Sequence, residues 1–383
     1  MANLSKKIIY LITQSEWGGA QEYLFNLATN IDKNQYDCLV LSGEGNGELF
    51  KELNQANVRY QKLKYTKRAV NPLFDFLALW ELIKIFKKER PDIIHLNSSK
   101  IGFLGSLAGQ IYKLITNNQL LITYTAHGWV FNEPLNWLVK KLYFWIEKIS
   151  AKWKDAIICV SEADRQIALK HNFKSKIVTI HNAVNYSQLN FLEKELARQE
   201  LIKKTPPERS YKLQATSYKL IGTIANLYPT KGINYLIGAA ALLLKERSDL
   251  IFAVIGDGAE RQNLESLIAN RGLTNNFFLL GSIPNAHRLL KGFDLFVLPS
   301  VKEGLPYAVL KAQAAGIPIV ATKVGGVPEI IEDNRNGYLA RPDDINDLTD
   351  KINRALERPL APALATDFTL ATMIAKTLTA YSS

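Results

Sequence analysis

The sequence predicts an α/β chain made of two Rossmann-like domains in succession. Three observations carry that expectation. Short apolar runs alternate with amphipathic helical patterns along the chain, as parallel strands covered by helices require. The alternation breaks once, at a polar stretch over 186–218 that contains Pro206-Pro207. And 383 residues are enough to fill two separate cores. The expected division is 1–183, 184–365 and a closing helical segment, 366–383.

Composition narrows the class. The longest uncharged apolar run, Leu236 to Leu244, is too short to span a bilayer. Lys6-Lys7 followed by IIYLI imitates a leader peptide, but the apolar core is short and no cleavage site follows, so it reads as a first strand. Cys38 and Cys159 both fall in strand-like runs, where cysteine behaves as a small apolar residue, and no disulfide or metal spacing is present. A cytoplasmic location is expected. The net charge is +11, and residues 1–183 hold 24 Lys and Arg against 16 Asp and Glu. That excess fits a solvated surface, an anionic membrane face, nucleic acid or an anionic substrate.

In the first half the expected strands are Ile8–Thr13, Asp37–Ser42, Val58–Leu63, Asp92–Leu96, Leu120–Thr125, Ala156–Val160 and Ile177–Ile180. Between them Ala20–Asn30, Phe74–Lys88, Gly102–Leu114 and Ala163–Lys170 carry helical periodicity. Ligands of such sheets bind beyond the carboxyl ends of the strands. Trp17-Gly18-Gly19-Ala20 occupies one such end; two glycines alone also suit a plain tight turn. His95 and His127 end two more. A satisfied structural role is expected for His95. A functional one is expected for His127, which precedes Gly128 where a ligand would sit.

The segment Pro134 to Lys154 is amphipathic with a complication. Leu138, Leu142, Trp145, Ile146, Ile149 and Trp153 share one face. Lys140, Lys141, Lys148 and Lys152 share the other, with Trp137 and Phe144 among them. Aromatics interleaved with lysines on a polar face fit a membrane-interface helix; the apolar face alone fits a helix packed on its sheet.

The second alternation runs Leu220–Ala225, Leu250–Ile255, Phe277–Leu280, Leu295–Leu298, Ile317–Ala321 and Gly337–Ala340, with a closing helix over Phe368 to Tyr381. Asn226 to Gly232 follows the first of these strands. Lys231 near a helix start opposes the dipole unless an anion is bound there. Gly256-Asp257-Gly258 follows the second strand but lacks the third glycine of a dinucleotide fingerprint, since Arg261 stands there. The stretch Asp294 to Glu329 reads strand, loop, helix, strand, loop. Pro306 suits a first helical turn, Gly316-Ile317-Pro318 stops the helix, and Ala308, Ala312 and Ala315 let it approach the sheet. The loop Ser300 to Leu305 therefore leads into a helix N-terminus, where amides attract oxygen-rich anions, and Glu303 adds an acceptor for hydroxyls.

This stretch resembles the signature of family 4 glycosyltransferases, retaining enzymes of the GT-B fold that use nucleotide-sugar donors. Ser300, Glu303, Gly304, Pro306, Ala312, Ala314, Ala315, Gly316, Pro318, Gly325, Gly326 and Glu329 match it. The resemblance implies two Rossmann-like domains facing each other across a cleft, with the closing helix of 366–383 crossing back onto the first domain. It implies that Glu303 and His127 contact the transferred sugar. Gly18, Gly19, Lys231, Gly256, Gly258, Gly304, Leu305 and Pro306 are then placed around the nucleotide sugar. It implies a lipid-linked or glycan acceptor in envelope polysaccharide or glycolipid synthesis, at the inner face of the cell membrane. Two positions depart from the pattern. Lys311 stands where the second glutamate belongs, and Asn226 where an arginine would meet the diphosphate. No Asp-x-Asp triplet occurs, so no metal or other cofactor is expected. Two alternatives remain from the residues: a non-catalytic nucleotide-sugar-binding relative, motivated by positions 226 and 311, and a nucleic-acid binder, motivated by charge alone.

Overall fold

A computed structural model describes residues 5–205, 218–363 and 367–382. The chain divides into two compact units, Met1–Ala183 with Leu370–Ser383, and Val184–Thr369. All thirteen expected strands form, each within two residues of the expected ends.

The first unit holds β1 (Lys6–Ile12), β2 (Tyr36–Ser42), β3 (Arg59–Lys62), β4 (Ile93–Leu96), β5 (Leu121–Ala126), β6 (Ala156–Cys159) and β7 (Lys176–Thr179). They pair in parallel in the order β3-β2-β1-β4-β5-β6-β7. Ile8 to Leu11 are wholly buried, because a central parallel strand is covered on both faces. Right-handed crossovers put the helices Pro72–Glu89, Ser99–Thr116 and Trp137–Ser150 on one face. Each packs on the next. Gly19–Asn30 packs on Glu48–Gln55 and on the closing helix Leu370–Ala380. Asn71 caps Pro72–Glu89 by accepting from the amides of Leu73 and Phe74, which fixes its start two residues before the expected one.

The second unit holds β8 (Lys219–Ile224), β9 (Leu250–Ile255), β10 (Phe277–Leu279), β11 (Leu295–Leu298), β12 (Ile319–Thr322) and β13 (Tyr338–Ala340), all parallel, in the order β10-β9-β8-β11-β12-β13. The strand order reverses direction at β8 and β11, as it does at β1 and β4 in the first unit.

Two expectations need correction. The stretch read as linker contains a helix, Lys194–Lys203, which buries Ala197 and Leu201. Its Lys194 and Arg198 pair with Asp294 at 2.8 and 2.5 Å, so it belongs to the second unit. Only two apolar positions per three turns are needed, which is why composition hid it. Pro206-Pro207 lies outside the described residues.

The second correction concerns Trp137–Ser150, whose buried side is not the expected one. Phe144, expected among exposed lysines, packs against Phe131, Phe173 and His171, at ring distances of 5.5, 6.1 and 4.8 Å. Lys140 and Lys148 are half-buried, while Trp137 and Lys141 are exposed. Leu138, Leu142, Trp145 and Ile149, expected inside, are exposed. The cause is a charge pair. Glu147 and Lys154 are buried together at 3.4 Å, with Tyr124 donating to Glu147 at 3.2 Å and Lys154 donating to Ser150 at 3.0 Å. A buried charge that lost its partner would cost several kcal/mol, so the helix turns its one acid inward. Among the described residues no helix is long and apolar enough to cross a membrane.

Candidate active site

In the second unit the loops after β8, β9, β11 and β12 meet at the strands' carboxyl ends. They are held by close backbone approach. Gly232 has φ +62°, and a Cβ there would lie 2.1 Å from the carbonyl oxygen of Pro299. Gly325 has φ +51°, and its Cβ would fall 2.0 Å from the carbonyl oxygen of Glu303. Neither position admits another residue without moving the neighbouring loop. Gly256 and Gly258 press the β9 loop onto Ala225 and Leu227, where Cβ atoms would meet carbonyl oxygens at 2.0 and 2.6 Å. Hydrogen bonds complete the lock. Val301 N donates to Thr230 O at 2.9 Å, and Gly326 N donates to Gly304 O at 2.6 Å.

Held there, Lys231 Nζ lies 2.7 Å from Glu303 Oε1, and Ser300 Oγ donates to the same oxygen at 2.6 Å. Ser300 is itself buried and its carbonyl accepts from Thr322 Oγ1. Glu303 is therefore oriented by a cation and a hydroxyl on one oxygen, while the other points its lone pairs elsewhere. Lys231 closes a short 3-10 turn, Pro229–Lys231, rather than sitting inside the following helix Ile233–Glu246. Its charge is balanced by Glu303, so no bound anion is needed to explain its position. Pro306 is the N-cap of Tyr307–Ala314 and not part of its first turn. Gly304, Leu305 and Pro306 are buried beneath this corner, and Asn226 is half-buried at the mouth of the β8 loop. Ala308, expected on the sheet-facing side, is half-exposed; Val309, Ala312 and Gln313 face inward instead.

Lys311 stands apart from that pair. Its Nζ lies 5.7 Å from the centre of the Tyr307 ring, one turn earlier. It is near enough to His287 to oppose protonation there. Burial, then Lys311 and Arg288, hold the His287 imidazole down to about 4.

In the first unit His127 follows β5. Its ring meets Tyr23 edge-on at 4.9 Å. Its Nε2 is shut from solvent with no hydrogen-bond partner among the described residues, although the residue as a whole is only half-buried. Burial pushes its pKa down to about 3, so the ring is neutral near pH 7. A buried orphan nitrogen costs about 1–3 kcal/mol until something pairs with it. His95 contrasts with it. Nδ1 is 2.5 Å from the Tyr381 hydroxyl and Nε2 is 2.6 Å from Thr125 Oγ1, so both nitrogens are satisfied. Thr125 Oγ1 in turn donates to the Tyr23 hydroxyl oxygen at 3.3 Å. This network around His95 of Tyr23, Thr125 and Tyr381 was not legible in the sequence, since His95 and Tyr381 alone lie 286 residues apart.

Gly18 caps Gly19–Asn30 in extended backbone, and a Cβ there would meet only the side-chain oxygen of Gln21, at 3.2 Å. Glycine at 18 is thus not demanded by backbone strain; it leaves the helix N-terminus uncovered. A concave space of about 590 Å³ exists elsewhere in this unit, bounded by Lys6, Asp92, Lys113 and Asp155. It opens at the amino ends of the strands, opposite His127, and takes no part in the site.

Comparison with known proteins decides the family. The family model described as Glycosyltransferase Family 4 matches residues 17–188, and that described as Glycosyl transferases group 1 matches residues 206–369. The chain belongs to the family 4 glycosyltransferases. It is similar to the Escherichia coli UDP-Gal:alpha-D-GlcNAc-diphosphoundecaprenol alpha-1,3-galactosyltransferase, at 29% identity over 76% of this chain and 73% of that one. It is also similar to the Staphylococcus aureus capsular polysaccharide biosynthesis glycosyltransferase CapM, at 24% identity over 92% and 88%. Among solved structures, Anabaena HepE in complex with UDP and glucose superposes with a TM-score of 0.80 at 20% identity, covering 99% of this chain and all of that one. The fold is GT-B, and this glycosyltransferase carries its locked loops and the Lys231–Glu303 pair in the unit that matches the group 1 model.

Proposed function

We propose that this glycosyltransferase moves a hexose from a nucleoside-diphosphate donor, with UDP as the first candidate, to a lipid-linked glycan acceptor in envelope polysaccharide synthesis. In the reaction the bond from the anomeric carbon to the diphosphate oxygen breaks. A bond to an acceptor hydroxyl oxygen forms on the same face of the sugar, that hydroxyl loses its proton, and the nucleoside diphosphate departs. The observation that carries the reading is the Lys231–Glu303–Ser300 cluster at the β8/β11 switch point. Glu303 accepts from sugar hydroxyls. Lys231, released from Glu303 as the donor enters, neutralises the diphosphate beside the glycine loops. His127 offers its unpaired Nε2 to a sugar hydroxyl. Cationic and amide groups thus balance the leaving charge, and we infer that no metal is required.

The acceptor reading draws on the relatives named for work on diphosphoundecaprenol-linked sugar and capsule. Exposed Trp137 and Lys141 and the excess positive charge of the first 183 residues support contact with an anionic membrane. The test is sugar release from a panel of UDP-, GDP- and ADP-hexoses, with and without chelator. Release from one donor class, insensitive to chelator, is expected. No release with intact nucleotide binding would favour a non-catalytic relative, and abolition by chelator would remove the metal-free claim.

A further inference from the structure

We propose that the helices Pro72–Glu89 and Trp137–Ser150 form one docking surface for an anionic lipid bilayer. The proposal deepens, and rests on, the reading of the acceptor as lipid-linked. Of the sixteen large hydrophobic side chains exposed among the described residues, eleven lie in Val70–Trp80 or Leu135–Ile149, and only Leu196 lies in the second unit. Scattered exposure is ordinary, but concentration on one face marks an interaction site.

The geometry makes a pair of ridges. Both helices flank Ser99–Thr116. That middle helix sits low because Gly102, Gly105 and Gly109 face the sheet, where Cβ atoms would come within 2.8 Å of Tyr124, Leu96 and Ile122. On the first ridge Leu73, Phe76 and Trp80 are 66%, 65% and 56% exposed, at the i, i+3, i+7 spacing of one stripe. On the second Leu138, Leu142, Trp145 and Ile149 make the same kind of stripe, beside Trp137 at 67%. The amino ends of both helices lie at the carboxyl end of the sheet, the end that carries His127. Only seven residues separate His127 from Leu135.

Charge selects the partner. The acids of both helices are turned to internal partners. Asp75 pairs with Lys100 at 2.6 Å, Glu81 accepts from the amides of Lys64 and Tyr65, Glu89 pairs with Lys7 and Arg59, and Glu147 is buried with Lys154. What remains outward is cationic: Lys84, Lys87, Lys88 and Lys141. Lys84 Nζ lies 3.5 Å over the Trp80 ring and Lys148 Nζ 5.5 Å over that of Trp145, the arrangement of side chains whose stems lie along apolar surface with their charges beside it. A second copy of this chain is a poor occupant, because a self-complementary contact would set those lysines against themselves.

The experiment is flotation of the full chain with phosphatidylglycerol–phosphatidylcholine vesicles and with phosphatidylcholine alone. Binding to the anionic vesicles at low salt, falling at least about tenfold at high salt, is expected. L73S/F76S/W80S and W137S/L142S/W145S should each weaken it about tenfold or more with melting temperature unchanged, since every altered side chain is exposed. K84Q/K87Q/K141Q, which touches no apolar side chain, should flatten the salt dependence. Absence of flotation at low salt, or flotation of both apolar triple variants equal to that of the parent, overturns the proposal. So does a dimer, seen by light scattering, that those variants dissolve without affecting flotation. Soluble-donor hydrolysis measured on the same samples separates the two readings. Flotation without hydrolysis keeps the docking surface and removes the transfer, and hydrolysis without flotation does the reverse.

Discussion

In the first unit the polar groups at the strand ends are buried and neutral; in the second they are charged and paired. His95 and His127 are both held near 3 by burial, with His127 also opposing His95, so neither carries a proton at neutral pH. Lys231 and Glu303 instead keep opposite charges 2.7 Å apart, on loops locked by glycine. The two sheets share parallel pairing and a switch point, so the difference comes from what the loops carry. It teaches a division of labour. On the proposed reading, the second unit exchanges the internal Lys231–Glu303 pair for a charged donor. The first holds neutral imidazoles, one with an unpartnered nitrogen, beside an apolar outer face.

The sharpest way to break that contrast is to remove charge from the second unit. Glu303→Gln should lower turnover about 10- to 100-fold, since a charged hydrogen bond is worth about 1.5–3 kcal/mol. Lys231→Ala should do the same and also lower the melting temperature, because it leaves Glu303 largely buried without its cation. The double variant should cost less than the two singles combined, as coupled partners do. Full additivity in steady-state rates would mean that the pair does not act as a unit.

The histidines test the first unit. His127→Ala should reduce turnover about tenfold, a modest contact effect, with little change in thermal stability, because the lost nitrogen had no partner. His95→Ala should show the opposite pattern: a clear loss of melting temperature, from a cavity and an orphaned Tyr381 hydroxyl, and smaller loss of rate per folded molecule. Equal effects of both on rate and melting would erase the distinction between them.

Acid should find the same two groups. Both histidines have folded pKa values, about 3, below the ordinary 6.5. The unfolded chain therefore binds protons that the folded one refuses, and stability is full above about 6.5 and declines as pH falls toward 3. Melting temperature across that window should fall less steeply in His95→Asn than in the parent. A parallel decline would show that His95 contributes nothing to the acid sensitivity.

The smallest expected effect concerns Lys311. If it partly replaces the family's diphosphate-binding arginine, Lys311→Glu should weaken nucleoside-diphosphate binding a few-fold, and Asn226→Arg added to it should restore much of the loss. The same Lys311→Glu change should raise the His287 pKa from about 4, since Lys311 is one cause of its depression. Tighter nucleotide binding in Lys311→Glu alone would make the lysine a defect rather than a substitute.

The sequence by itself determined the strands, the two alternations and the chemistry gathered at Ser300, Glu303 and Lys231. Such features are local: a buried strand must be apolar, and a loop pressed on its neighbour must be glycine. Gly256 and Gly325 were legible for that reason. The tertiary structure decided what periodicity cannot. It paired Lys231 with Glu303 and tied Tyr381 to His95 across the length of the chain. It also turned Trp137–Ser150 so that Phe144 went in and Leu142 came out. A helical wheel says which residues share a face. Which face is buried depended on Lys154 reaching Glu147 and on aromatic rings from Phe131 and Phe173, and those partners exist only once the sheet has formed.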